Sequence, residues 1–282
     1  MTARSERFTT SSLGEVNLHA IHLGDERHPK MVLLHGGGAN AHWWDHITPF
    51  FADRFHTVAL DFRGHGESDY PERVEPGRFQ CDLSALLDHL DAPDAILVGH
   101  SMGGHIALRH AASSGAAIGP RAMVLIEVSR GASSRARRGA RLALAVRRTY
   151  PNERDAIARY RFVPRAPGAD ESLRRSIATQ SVRREDDGRF GFKFDGRWFG
   201  LPPDPSPDLK KAVCPTLLVR GANSSLLTSE GAAALISELP RARFVEIPAA
   251  GHHVQIERPA EVVAAMEAFL DETVSRTAFP LD

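Results

Sequence analysis

The sequence predicts an α/β fold: a mostly parallel sheet with helices on both faces, interrupted by one insertion. Three observations point there. Short apolar runs recur at MVLLH (31–35), HTVAL (56–60), AILVG (95–99), AMVLIE (122–127) and TLLVRG (216–221). Segments with helical spacing stand between them. The alternation stops after Val128 and resumes near residue 211. Runs apolar on both sides belong to strands covered on both faces, which is the habit of parallel sheets. Their crossovers are expected to be right-handed.

Taken in order, Val16–Leu23 alternates polar and apolar residues, as a half-buried outer strand does. MVLLH runs into Gly36-Gly37-Gly38, and Ala41–Ala52 then reads as a helix. HTVAL ends at Asp61 and a loop, FRGHGESDYP. Phe79–Leu90 sets Leu83, Leu86, Leu87 and Leu90 at helical spacing. AILVG leads into a helix from Met102 to about Ser113. Residues 129–210 lack the alternation, are rich in Arg and Pro, and hold an aromatic stretch, FGFKFDGRWFG (190–200). After TLLVRG, Ser229–Leu239 reads as a helix and ARFVEIP (242–248) as a strand. Pro259–Val274 reads as a helix with proline in its first turn. The core is therefore expected over 1–128 and 211–282, with the insertion at 129–210.

Composition narrows the function classes. The chain has 282 residues, 42% of them apolar, which suits one large α/β domain with an insertion or two smaller domains. Its formal net charge is zero, so no nucleic-acid or membrane partner is expected. Cys81 and Cys214 make no disulfide framework and read as buried thiols in a reducing compartment. The polar start, MTARSERFTTSSLGE, lacks the apolar run of a signal peptide. No window of about 18 apolar residues could form a membrane span. The expected location is the cytoplasm.

The chemistry concentrates in three places. Gly99-His100-Ser101-Met102-Gly103 is a G-x-S-x-G sequence set between a buried strand and a helix, the context of a sharp turn that lifts a nucleophilic serine above the sheet. The helix N-terminus behind it offers free N–H groups and a field that favours negative charge. Chain order then asks for a histidine after the last strand. Gly251-His252-His253 supplies it, with His252 the candidate base and His253 its competitor. A charged tetrahedral oxygen needs preorganised donors. Met102 N–H is one candidate, and the glycine loop supplies the other, Gly37 ahead of Gly38.

LLHGGG (33–38), LDFRGHGESD (60–69), VGHSMGG (98–104), TLLVRG (216–221) and AGHHVQIERP (250–259) together resemble the α/β-hydrolase fold family. The resemblance spans about residues 15–128 and 213–275. It implies a Ser–His–acid triad, no metal or organic cofactor, and a small-molecule substrate. It also implies that the insertion is a helical cap over the pocket. Dehalogenases and epoxide hydrolases of this family carry Asp as nucleophile, so Ser101 argues against both. The departure concerns the acid. In most relatives an Asp follows the strand resembling TLLVRG, but here Gly221-Ala222-Asn223-Ser224-Ser225 holds no carboxylate, and Ser225 stands where the Asp is expected. Glu127, ending AMVLIE, is the candidate substitute. Some relatives place their acid after the equivalent strand, and adjacent strands lie only about 4.8 Å apart. Asn223 remains an alternative partner for the imidazole. Asp61 reads as structural.

Residues 130–200 hold 17 Arg and one Lys against eight Asp plus Glu. That charge suits either a solvated cap docked on an acidic core or a basic mouth for an anionic substrate. Trp43, Trp44 and Trp198 are candidate walls of the pocket. The reading is a serine esterase or lactonase working through Ser101, His252 and Glu127. A C–C bond hydrolase, a cofactor-free oxygenase or haloperoxidase, and a non-catalytic ligand-binding homologue are the alternatives.

Overall fold

The structure, a computed structural model, describes residues 2–10, 15–114, 119–128, 130, 134–201 and 206–273, and the side chains of all of these but 134, 136 and 137. Val274, Pro202, Pro203 and Pro205 lie outside the described residues. Eight strands form one sheet. They are β1 (Arg4–Thr10), β2 (Val16–Leu23), β3 (Lys30–Leu34), β4 (His56–Asp61), β5 (Ile96–His100), β6 (Met123–Ile126), β9 (Thr216–Gly221) and β10 (Ala242–Ile247). Their order is β1-β2-β4-β3-β5-β6-β9-β10. β1 pairs antiparallel with β2, and β2 with β4, while every pair from β4 to β10 is parallel.

Period-two alternation explains the layers. Val32, Leu34, Leu97, Leu125 and Leu218 face one way, against α1 (Arg78–His89), α2 (Met102–Ser114) and α6 (Ser229–Glu238). Met31, Leu33, Val98, Val124 and Val219 face the other, against α8 (Pro259–Thr273). Thr228 starts α6 by accepting Gly231 N–H at 3.0 Å, as a cap should.

Two segments differ from the sequence expectation. Ala41–Ala52 is not one α-helix but two 3₁₀ turns, Ala41–Trp44 and Thr48–Phe50. Asn40 caps the first through His42 N–H at 3.1 Å. Pro49 has no N–H to give, and in an α-helix its ring would meet the Asp45 carbonyl, so a longer helix is barred. The edge strand β1 was not expected: only Phe8 and Thr10 of its seven residues are buried.

Between β6 and β9 the chain forms α3 (Ser134–Ala145), α4 (Glu153–Arg159), α5 (Glu171–Gln180) and a hairpin of β7 (Val182–Arg184) with β8 (Phe190–Phe192). Here Tyr160, Phe162 and Ile177 pack with Trp43 of the core segment. The loops after β3, β5, β6, β9 and β10 gather at one sheet edge, the C-terminal ends of the parallel strands. Strand order reverses there between β3 and β5, the usual place for a ligand. Among the described residues no helix is long and apolar enough to cross a membrane.

Candidate active site

Register sets the site. His100 of β5 pairs with Ile126 of β6, so Ser101 and Glu127 are the next residues on adjacent strands. Ser101 N–H donates to Ile126 O at 2.9 Å, and Glu127 N–H to Val219 O at 2.9 Å. Both then turn left-handed, with φ +49° at Ser101 and +54° at Glu127. Such backbone costs a non-glycine residue roughly 1–2 kcal/mol. It ends each strand abruptly and aims the side chain over the sheet edge. The elbow needs small neighbours: a Cβ on Gly99 would sit 2.5 Å from Gly104 N, and one on Gly103 would overlap Leu34 O.

The loop after β10 brings His252 across. Ser101 Oγ–H donates to His252 Nε2 at 3.0 Å, and His252 Nδ1–H donates to Glu127 Oε2 at 3.1 Å. Glu127 is 0% exposed and His252 5%. Two further donors fix the carboxylate: Gly221 N–H reaches Oε1 at 2.7 Å and Ser224 Oγ–H reaches Oε2 at 2.5 Å. Burial pushes Glu127 up to about 7 and His252 down to about 4. Both shifts leave a neutral imidazole, able to accept a proton.

The loop after β9 corrects one expectation. Ser224, not Ser225, turns inward and grips Glu127, while Ser225 and Asn223 are exposed. Asn223 therefore does not orient His252. Sequence reading places His100 beside the elbow without a role of its own and passes over Glu257. His100 is buried, and its Nε2–H donates to the His252 carbonyl at 2.9 Å, holding the His252 backbone. Glu257 accepts Gly251 N–H at 2.7 Å and Gly168 N–H at 3.0 Å, tying the base loop to the insertion. The signal for His100 was its place inside the G-x-S-x-G turn; Glu257 gave none. Asp61 is structural as expected. It accepts His19 Nδ1–H at 2.7 Å, Ala41 N–H at 2.6 Å and Glu67 N–H at 3.0 Å.

The donors separate by their partners. Gly38 N–H points to His65 Nε2 at 3.4 Å. Neither Gly37 N–H nor Met102 N–H donates to an acceptor among the described residues. Gly36 carries the glycine loop to the elbow: a Cβ there would lie 3.5 Å from Ser101 Cβ. Phe199 and Leu144 of the insertion close over the other side of the loop, 2.7 Å from where a Cβ on Gly37 or on Gly38 respectively would stand.

A cleft of about 60 Å³ opens above this loop, walled by Gly37, Gly38 and Trp43 and by Leu144, Phe162 and Phe194 of the insertion. Ser101 and His252 are not among its walls. A neighbouring cleft of about 270 Å³ shares Val146, Arg148, Phe192 and Phe194 with it. Of the three tryptophans, Trp43 walls the first of these two clefts, and Trp44 and Trp198 wall neither. Trp44 is 1% exposed and belongs to the core layer beneath the sheet. Trp198 is buried against Phe79, ring centroids 4.6 Å apart. Both are corrections: large rings near a pocket in sequence were taken up by packing. Among the described residues no cluster of His, Cys, Asp and Glu could hold a metal ion.

Residues 31–265 match the model of the alpha/beta hydrolase family. An esterase of Mycobacterium tuberculosis is 30% identical over 254 residues, covering 86% of this chain and 83% of its own. Epoxide hydrolase A of the same organism is 30% identical, covering 96% and 98%. The crystal structure of E-2-(acetamidomethylene)succinate hydrolase superposes with a TM-score of 0.81 at 25% identity, covering 96% of this chain and all of that one. The curated enzyme of that name from Mesorhizobium japonicum is 28% identical over 277 residues.

Proposed function

The chain belongs to the alpha/beta hydrolase family, and we propose that it is a serine hydrolase cleaving a carboxylic ester or lactone through an acyl-enzyme. The observation that carries this reading is the relay from Ser101 Oγ to His252 Nε2 at 3.0 Å and from His252 Nδ1 to Glu127 at 3.1 Å. Ser101 Oγ attacks the substrate carbonyl carbon while His252 Nε2 takes its proton. The carbonyl oxygen becomes an oxyanion held by Gly37 and Met102 N–H groups. Glu127 stabilises the imidazolium. Collapse breaks the bond to the leaving oxygen, which takes the proton from His252. Water then attacks the acyl-enzyme, gives a proton to His252, and releases the acid as Ser101 regains its hydrogen. The insertion between β6 and β9 acts as the cap.

Esterase and hydrolase relatives support hydrolysis. Epoxide opening by the family's ester route needs a carboxylate at position 101, where this chain has a hydroxyl. The test is a short 4-nitrophenyl ester with a fluorophosphonate probe. Turnover and labelling are expected, and Ser101→Ala abolishes both. Oxygen uptake that survives Ser101→Ala would replace this reading with the oxygenase. An unlabelled, inactive wild-type protein would replace it with a binding module.

A further inference from the structure

We infer that the substrate of this site carries, besides its ester, a negatively charged carboxylate held by Arg148, Arg159 and Arg161 of the cleft above the glycine loop; this rests on the serine hydrolase reading above. Arg148, Arg159 and Arg161 line the cleft above the glycine loop, and no Asp or Glu lines it with them. Its other walls are apolar and aromatic: Trp43, Leu144, Phe162 and Phe194 among them.

The pairing of the surrounding charges makes this cleft distinctive. The adjoining cleft holds four arginines, but Glu185 binds Arg147 and Arg183 at 3.0 and 3.1 Å, and Asp195 binds Arg197 at 2.6 Å. Arg148 walls both clefts and has no carboxylate partner among the described residues. Arg159 is likewise unpaired. Arg161 gives only Nη1, to the carbonyls of Ala158 and Tyr160 at 2.8 and 2.6 Å. Glu171 feels Arg161, but its carboxylate is already bonded by Arg174 Nε at 2.7 Å and by Arg174 Nη2. Three exposed arginines therefore line one largely apolar cleft that has no Asp or Glu among its walls. Low-dielectric walls strengthen such a field, and guanidinium forks match a carboxylate bidentately. The chemistry selects an acyl group with an apolar middle and an acidic end, such as the half-ester of a dicarboxylic acid.

The experiment compares mono-4-nitrophenyl adipate and suberate with their neutral methyl 4-nitrophenyl counterparts. The half-esters are expected to have kcat/KM at least tenfold higher, and the preference should shrink from 50 to 500 mM NaCl. The triple variant Arg148→Gln, Arg159→Gln, Arg161→Gln should bring the ratio of acidic to neutral ester close to one. Arg154→Gln, an exposed arginine on the same α4 but outside the cleft wall, should leave the ratio as it is. Turnover of both ester types with no charge preference, or a preference that survives the triple variant, overturns this inference and leaves the hydrolase reading standing. No turnover of either, with no fluorophosphonate labelling, overturns both.

Discussion

A carboxylate shut away from water holds its charge poorly, and Glu127 is such a group. Burial raises it to about 7, although Ser224 and Gly221 donate to its charged form. A folded-state value above the unfolded one gives stability that is complete below the ordinary carboxylate range and is lost as pH rises through about 7. Glu127→Gln should therefore gain roughly 2 kcal/mol relative to wild type between pH 5 and pH 8, read by urea unfolding at both. An identical difference at the two pH values would contradict the burial account. Activity runs the opposite way. Protonated Glu127 cannot balance an imidazolium, so kcat/KM should rise with pH through an apparent value near 7 that belongs to the Glu127–His252 pair. Glu127→Gln should lower turnover by roughly 10²–10⁴ and remove that limb. Ser224→Ala takes away a bond to the charged form, so the limb should move to higher pH while the alkaline plateau is kept. A loss of plateau rate with an unmoved limb would make Ser224 a packing residue only.

At the scale of elements, the parts that sequence revealed are those fixed by repetition along the chain. Strands β3, β4, β5, β6 and β9 are buried on both faces, so their apolar runs are continuous and easy to read. Ser101, His252 and Glu127 were legible because each stands at the end of a readable strand or just beyond one. What stayed hidden depends on how a turn is traced. Whether Ser224 or Ser225 faces Glu127 rests on the backbone after β9, and no periodicity encodes it. Trp44 and Trp198 misled because proximity to a motif says nothing about which face a ring takes. Glu257 was invisible because its work is tertiary. It sits in α7 (Val254–Glu257) and joins Gly251, next to the base, with Gly168 of the insertion. Glu257→Ala leaves two N–H groups without their acceptor, at about 1–3 kcal/mol each. The expected result is a lower melting temperature and a kcat reduced about tenfold or more, with Glu257→Gln intermediate. Full kcat in Glu257→Ala would mean that the base loop holds its own shape.

Across the whole molecule, charge is segregated while the sum is zero: residues 130–200 carry a formal +10 and the remainder −10. Ion pairing nevertheless contributes little to holding the insertion on the sheet domain. Lys193 meets Glu67 at 2.6 Å, but the Glu67 side chain is 49% exposed. Arg197 Nη1 and Nη2 donate to the carbonyls of Glu72 and Pro71 at 2.7 and 2.9 Å from an exposed position. Exposed pairs of this kind stabilise by about 0–1 kcal/mol and fade with salt. The apolar seam is larger. Trp198 packs tilted against Phe79, Trp43 meets Phe162 edge-on with centroids 5.2 Å apart, and Phe199 covers Gly37. Truncating a buried aromatic costs about 3–5 kcal/mol. Trp198→Ala should therefore destabilise by about 3 kcal/mol in urea unfolding, and Lys193→Ala by less than about 1 kcal/mol. Loss of the Trp198 ring also frees Phe199 above the glycine loop, so the variant should show a higher KM for any ester. If 500 mM NaCl lowered wild-type stability as much as Trp198→Ala does, charge rather than aromatic packing would be what seats the insertion over the site.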